Sequence, residues 1–422
     1  MFSVPKGNSR DVEEESPFLR SVAVMGGAPK LTPLSATPKF GKAPAIGLPK
    51  PKIGLSQSRT SFTVTQEWTS AAAWDVKSED LELVPVDFPL ERTHREIRCD
   101  ASEVAKRISD SLKHLSIDAK YDNENAKAKC KTMECVKFRI RLYAGGENGQ
   151  PVVVEVQRRS GSTSSFMRSC RAVLDAAEGA QAAAAAPQSG APKAIGKPGK
   201  FPPPMKSLGA MKCLQSVSVP GPTPEEEAAM AFDSAASLCK SGKHDSVVLG
   251  LESLCNLTDP LKSSPKTSIQ VSKWVLLGHE THTTRDDITA ILNMVPDEEE
   301  EDLLVVFGQQ KHFAVMALAN ALDMCAKDGC LASAVTEQSW FESSLVPSLL
   351  AILKDAVDSA SNAYAAARGL SSLLSSSNAT LPMIEENNGV ETLKMAHEFG
   401  LQNHDLLASE AAGCLESVKG SH

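Results

Sequence analysis

The sequence predicts a multidomain protein in which a small α+β domain, an antiparallel sheet with two helices, precedes an all-α domain. Three observations support this fold class. Apolar and polar residues alternate around 136–156, the period of a strand with one buried face. From about residue 224 onward, apolar residues recur at helical spacing instead. Segments rich in proline and lysine separate these parts. The expected divisions are a disordered region 1–90, the α+β domain 91–178, a linker 179–223 and the all-α domain 224–422.

The clearest strands form a hairpin. The segment 136–143 alternates phenylalanine, isoleucine and leucine with the cations Lys137, Arg139 and Arg141. Valines repeat the alternation over 152–156 after a turn rich in glycine and asparagine, which predicts antiparallel pairing of the two segments. Further extended segments are expected around 117–121 and 128–132, with 96–99 leading in.

Two helices are expected to flank the strands. Asp100 and Glu103 form an Asp-x-x-Glu capping box at the start of a helix over about 101–115. Its apolar stripe consists of Val104, Ile108, Leu112 and Leu115. After the hairpin, a second stripe predicts another helix, with Phe166, Cys170, Val173 and Leu174 on one side.

This combination resembles the end of a kinase-associated-1 (KA1) domain. The resemblance lies in the hairpin, the run 154–161 and the phenylalanine-led helix, and it covers about 91–178. It implies a four-stranded antiparallel sheet with a helix from each end packed on one face. KA1 domains usually end protein kinases, where they bind anionic phospholipids or restrain the kinase. The kinase motifs themselves are missing, so the resemblance implies lipid binding or docking without a kinase domain.

A cationic face of the sheet is the first candidate site. The residues are Lys137, Arg139, Arg141, Arg158 and Arg159. If they share a face, they form a surface for an anionic membrane or a regulatory partner, because each basic residue near an anionic leaflet contributes about 1 kcal/mol. The alternative is that these charges are simply solvated on the wet face of the sheet.

Charge is distributed unevenly along the chain and supports that site. The α+β domain carries 17 basic and 13 acidic residues, whereas residues 223–422 carry 12 basic and 29 acidic ones. The net charge of −8 therefore combines a positive centre with a negative C-terminal half.

The C-terminal half is expected to be helical throughout. The predicted helices are 225–241, 245–256, 267–277, 285–294, 302–308, 311–327, 342–356, 360–375, 389–398 and 404–418. Related segments begin at Gly250, Ala317, Ala366 and Ala411, the last two 45 residues apart. This repeat is similar to armadillo or HEAT repeats, which implies stacked helices that hold a protein partner. An irregular helical domain is the alternative.

An acidic run precedes one of these helices and is the second candidate site. It consists of Asp297, Glu298, Glu299, Glu300, Glu301 and Asp302. Carboxylates at a helix N-terminus interact favourably with the macrodipole, which is the plain explanation. The alternative is a patch that meets a basic partner or the basic linker of the same chain.

Catalytic and metal motifs are not evident, so no enzyme activity and no cofactor are expected. His279 and His282 lie three apart with no third ligand suggested, and the cysteines do not have zinc-site spacing. No nucleic acid is expected, because the cationic face lacks interleaved aromatic residues. No stretch approaches 18 consecutive apolar residues and no apolar leader begins the chain, so a cytoplasmic protein, peripheral at membranes, is expected.

These patterns together predict a non-catalytic adaptor. Its KA1-like domain is expected to bind an anionic phospholipid membrane or a regulatory partner, while its helical repeats bind protein. The alternative is a regulatory subunit of a kinase network whose KA1-like domain docks protein rather than lipid. An enzyme with a dispersed site is the least favoured hypothesis.

Overall fold

A computed structural model describes residues 74–85, 89–146, 151–179, 223–279, 284–294 and 301–420. Its first part, here called the sheet domain, contains one antiparallel sheet of five strands. In chain order the strands are β1 (His94–Ile97), β2 (Asp118–Asp122), β3 (Lys127–Lys131), β4 (Lys137–Ala144) and β5 (Val152–Ser160). Their order across the sheet is β1-β5-β4-β3-β2, so the predicted hairpin of β4 and β5 is confirmed and lies inside the sheet.

Two helices, α1 (Ala101–His114) and α2 (Thr163–Ala177), cover one face of this sheet. Apolar side chains of both helices and of alternate strand residues form a single core, in which the rings of Phe138 and Phe166 meet edge to face at 6.1 Å. Asp100 caps α1 by accepting from the backbone N–H of Ser102. Glu103 accepts from the thiol of Cys99 and not from the backbone N–H of Asp100, so Asp100 caps the helix but the predicted capping box does not form.

Part of the region expected to be disordered packs on the sheet domain. Trp74 and Val76 are buried in its core, and the ring of Trp74 stacks on that of Tyr121 at 5.6 Å. Further along, the backbone N–H of Val84 donates to the carbonyl of Ala144. The disordered assignment of 1–90 is therefore wrong for 74–85. A single tryptophan outside any periodic pattern gives no signal for this contact, because its partner is distant in sequence.

The second part, here called the helical domain, contains helices and no strand within its described residues. They are α3 (Pro224–Cys239), α4 (His244–Thr258), α5 (Pro265–Leu277), α6 (Thr284–Leu292), α7 (Glu301–Asp328), α8 (Leu331–Glu337), α9 (Val346–Lys354), α10 (Ala360–Ser376), α11 (Thr380–Glu386), α12 (Gly389–Asn403) and α13 (Asp405–Gly420). The chain is thus a mixture of an α+β part and an all-helical part.

Four of these helices stack as successive neighbours: α4 packs on α7, α7 on α10, and α10 on α13. Each contains one of the four related sequence segments, which begin at Gly250, Ala317, Ala366 and Ala411. Small residues let the axes approach, since a Cβ on Gly369 of α10 would lie 3.1 Å from Cδ1 of Leu322 on α7. The four related segments therefore lie in helices that pack on one another in a row.

In three places a whole helix, and not only its ends, differs from the sequence expectation. The predicted helices 302–308 and 311–327 are one continuous helix, α7. The glutamines between them do not interrupt it, and the side chain of Gln310 donates to the carbonyl of His244. The short helices α8 and α11 were not predicted, because seven residues are too few to show a helical period.

The sheet domain and the helical domain belong to one compact unit, Thr65–His422. Met133, in the turn between β3 and β4, packs against the core of the helical domain. Its carbonyl accepts from Nε2 of His312 at 2.8 Å. At a second point, the backbone N–H of Leu406 donates to the hydroxyl of Ser116 at 3.1 Å. Whether the two domains touch was left open by the sequence, and the structure joins them.

Candidate functional site

A cleft of about 760 Å³ lies where the sheet domain meets the helical domain. Its cationic lining residues are Lys113, Lys120, Lys129, Lys131, Lys137, Arg139 and Arg159. Three carboxylates, Asp110, Asp118 and Asp358, also line it. The helical wall comes from the start of α10 and the end of α12, and includes Val357, Ala360, Asn362, Phe399 and Asn403. We call this concavity the cationic cleft.

The strand register brings the cations together. Across β3 and β4, cations face cations in three successive pairs: Lys127 with Arg141, Lys129 with Arg139, and Lys131 with Lys137. All six alternate with residues that point into the apolar core, so they share the outer face of the sheet. Like charges directly opposite each other are destabilising. The fold therefore carries an unfavourable arrangement that an anion would relieve.

The flanking strands neutralise the ends of this array more than its middle. One row has carboxylates on both sides, because Asp122 pairs with Lys127 and Glu155 with Arg141. The central row has none, since Lys120 pairs with Lys129 and Gln157 with Arg139. Lys120 is 3.9 Å from Asp358 of the helical domain, a contact between two exposed side chains that contributes little. Within the strand register, no carboxylate is therefore paired with Lys129 or Arg139.

The five cations singled out from the sequence do not all lie together. Lys137, Arg139 and Arg159 line the cationic cleft. Arg141 donates to the hydroxyl of Tyr143 at 3.3 Å and lies opposite Glu155 in the next strand.

Arg158 is not on the cationic face. It pairs with Phe138, whose side chain is in the core, and its guanidinium donates to the carbonyl of Gly161 at 2.8 Å. The expectation of one shared face is therefore wrong for Arg158. The reason is the period of two, which places Arg158 on the side of Val154 and Val156.

Sequence reasoning missed the cations of β2 and β3. Lys127, Lys129 and Lys131 alternate with Ala128 and Cys130, a readable strand pattern. Only the pairing of β3 with β4 puts these lysines beside Arg139 and Lys137, and that pairing is a tertiary fact. The contribution of Lys113 depends on the packing of α1 and has no sequence signal.

Burial and crowding change the electrostatics of the cleft. Burial lowers the pKa of Lys137, and the neighbouring charge of Lys131 lowers it further. Burial raises the pKa of Asp118, which accepts from the backbone N–H of Ser361 at 2.9 Å and so fixes β2 to the start of α10. Burial also lowers the pKa of His312, again with a contribution from Lys131. These shifts indicate a partly dehydrated, positively charged site.

Most of the other candidate groups lie outside the described residues. Asp297–Glu300 of the acidic run lie outside the described residues, and so do the side chains of Glu301 and Asp302, where α7 begins. His279 packs its ring on Trp274 at 4.8 Å, while His282 lies outside the described residues. In the part of the chain that the structure describes, no group of three His, Cys, Asp or Glu side chains is placed to hold a metal ion.

A search of the helices found no candidate membrane span among the described residues. Comparisons of the chain with protein-family models, with curated proteins and with solved structures found no match.

Proposed function

We propose that this protein is a non-catalytic adaptor whose cationic cleft binds an anionic partner and whose helical domain holds a second protein. The single observation that carries the proposal is the row of like charges in register across β3 and β4, in which Lys129 faces Arg139 and Lys131 faces Lys137. Such a row is unfavourable in the free protein and favourable once an anion lies across it.

Two sources of negative charge fit the cleft chemically. One is the headgroup of an anionic phospholipid, which the resemblance to KA1 domains implies. The layout of one antiparallel sheet with α1 and α2 on a single face supports that resemblance, although the sheet has five strands rather than four. The other source is a carboxylate or phosphate group of a regulatory protein.

A docking role in a kinase network is the second candidate function. It is favoured by the position of the cations, because Lys131 and Lys137 line a concavity whose opposite wall comes from α10 and α12. A flat bilayer reaches such a surface less readily than a chain segment that enters the cleft. In this case the cleft recognises protein, and lipid is irrelevant.

The helical domain offers a separate surface for the second partner. The row α4, α7, α10 and α13 supports the resemblance to armadillo or HEAT repeats. A second concavity of about 620 Å³ lies along α7, α10 and α13, with Asp323, Lys327, Arg368 and Glu410 in its lining. Its charges are balanced, which distinguishes it from the cationic cleft.

Charge reversal at neighbouring residues tests anion binding. We expect Arg159→Glu to weaken binding of the full chain to phosphatidylserine vesicles or to poly-L-glutamate, since Arg159 lines the cleft. Reversal of one charge near an anionic surface costs about 2 kcal/mol, twice the contribution of one basic residue. Co-sedimentation with the vesicles and fluorescence anisotropy with labelled poly-L-glutamate measure the affinities, at low and physiological salt.

The matched control is Arg158→Glu, which makes the same change one residue away, where the side chain lies on the other face. We expect this variant to retain most of the affinity. Vesicle binding alone would identify lipid as the source of the anion, and poly-L-glutamate binding alone would favour the docking role. If the wild-type chain binds neither probe at low salt, the proposed function is wrong.

A further inference from the structure

The cationic cleft runs along an open edge of the sheet. Strand β2 is the last in the order and pairs only with β3 among the described residues. Four consecutive residues of this strand, 118–121, line the cleft. The cations of β3 and β4 place the cleft over the outer face of the sheet. Ser109 and Asp110 of α1, which covers the opposite face, also line it, so the cleft extends around the edge of β2.

An edge strand presents unused backbone groups. Every second N–H and C=O of β2 points away from β3. Within the described part of the chain, no backbone hydrogen bond joins 118–122 to any segment other than β3. Among the described residues, β2 therefore has a row of unpaired backbone donors and acceptors, in extended conformation, beside the cleft.

The walls of the cleft identify the occupant by charge. Seven cationic side chains and three carboxylates line it, and one of these carboxylates, Asp118, accepts from the backbone N–H of Ser361. A second copy of the chain would bring the lysines of its own β2 and β3 against these, and lysine on edge strands is a known obstacle to self-pairing. A segment rich in glutamate or aspartate is complementary instead.

Apolar residues also line the cleft, and they can contact every second side chain of an extended segment. Tyr121 belongs to β2, while Val357 and Phe399 lie on the opposite wall. In strand addition, main-chain hydrogen bonds give affinity and pockets for alternate side chains give specificity. A segment with carboxylates on one side and apolar side chains on the other can contact both the cations of the sheet and the apolar residues of the helical wall.

We propose that the cationic cleft receives an acidic peptide segment of a partner protein, which adds to β2 as a sixth strand. The proposal rests on the proposed function, in that it names the partner class and the binding geometry of the same cleft. At about 3.4 Å per residue, five residues of the segment match the five residues of β2.

The test uses the full chain and three labelled peptides of alternating glutamate and valine. One peptide is unmodified, one carries N-methyl groups on the glutamate nitrogens, and one on the valine nitrogens. Strand addition uses the N–H groups of alternate residues, so only one of the two methylated peptides loses them. That peptide is expected to bind roughly tenfold to a hundredfold more weakly than the other, because it lacks two or three hydrogen bonds. Fluorescence anisotropy gives the three affinities, and Lys129→Glu is expected to weaken binding of the unmodified peptide.

The outcomes separate this inference from the proposed function. Equal affinities for the two methylated peptides would mean binding by charge alone, which overturns strand addition and leaves anion binding in place. Binding of phosphatidylserine vesicles without binding of the unmodified peptide would also overturn strand addition and leave anion binding in place. A dimer in solution that the unmodified peptide dissociates also overturns the inference, because the edge would then belong to a second copy. If neither peptides nor vesicles bind, both proposals fail.

Discussion

At the scale of single residues, the main feature of the candidate site is the row of lysine and arginine side chains that face each other across β3 and β4. Lys129 repels Arg139 across the two strands, and Lys131 repels Lys137. Burial lowers the pKa of Lys137, and the charge of Lys131 lowers it further. The apolar residues that alternate with them are ordinary core residues. One face of β3 and β4 is therefore apolar and buried, and the other carries facing cations.

A buried histidine makes the stability of the helical domain sensitive to acid. The Nδ1 atom of His404 accepts from the backbone N–H of Leu407 at 3.1 Å and so caps α13. Burial lowers the pKa of His404 to about 4. In the unfolded chain a histidine has a pKa of about 6.5, so the unfolded state takes up the proton first as the pH falls.

We therefore expect the free energy of unfolding to fall as the pH drops from about 6.5 to about 4, with a contribution from His404 on the order of 3 kcal/mol. His404→Asn keeps a side-chain oxygen that can cap α13 but does not titrate. The variant should show a shallower loss of stability over this pH range. Urea unfolding at a series of pH values measures it, and identical slopes for the two proteins would contradict the assignment.

At the scale of elements, the contact between α12 and α13 depends on one glycine. A Cβ at Gly400 would lie 2.5 Å from the backbone nitrogen of Ala408 and 2.9 Å from its Cα. Backbone cannot move aside as a flexible side chain can. Gly400→Ala is therefore expected to lower the free energy of unfolding by about 1–3 kcal/mol, the usual cost of overpacking. Thermal and urea unfolding measure the change.

The matched control is Gly413→Ala on α13, where an added Cβ would meet no atom within 4 Å. Here alanine is expected to stabilise the helix by about 0.5–1 kcal/mol, since glycine in a helix loses more conformational freedom on folding. Destabilisation by both variants to the same extent would show that the close approach at Gly400 is not the cause.

The sequence predicted most of the elements, because their periods are local. Alternation located β4 and β5, apolar stripes located α1 and α2, and helical spacing located most helices of the second half. It divided α7 and omitted α8 and α11, where length and packing outweigh the local pattern. The sequence analysis also placed Arg158 among the site residues, although the period of two puts Arg158 on the same face as Val154 and Val156. The alternation alone would have excluded it from the cationic face.

At the scale of the whole molecule, the candidate site exists only because two domains pack together. Asp405 of the helical domain lies 2.5 Å from Nδ1 of His114 and 3.8 Å from Nζ of Lys113. Together with the contacts of Met133 and Asp118, these interactions close the sheet domain against α10 and α12 and so form the cationic cleft.

Cleavage of the chain between the domains tests this packing. A site for a sequence-specific protease, introduced within 179–223, allows the chain to be cut without altering either partner of the interface. We expect the two fragments to elute together in size-exclusion chromatography at micromolar concentration, because the apolar side chain of Met133 packs against the helical core. Met133→Asp, which places a carboxylate there, should separate them. Separate elution of the wild-type fragments would contradict the interface.

By itself the sequence determined the two kinds of architecture, the sheet hairpin and helices, and the presence of cations along β4. All of these follow from periods of two or of 3.6 residues and from composition, which nearby residues fix. Only the tertiary structure decided which cations meet, that β2 is an open edge, and that a helical wall faces it. The physical reason is that strand order and domain packing both depend on contacts between distant residues, for which a single sequence carries no periodic signal. Strand order depends on pairings such as His94 with Glu155, 61 positions apart, and domain packing on contacts such as Asp118 with Ser361, 243 positions apart.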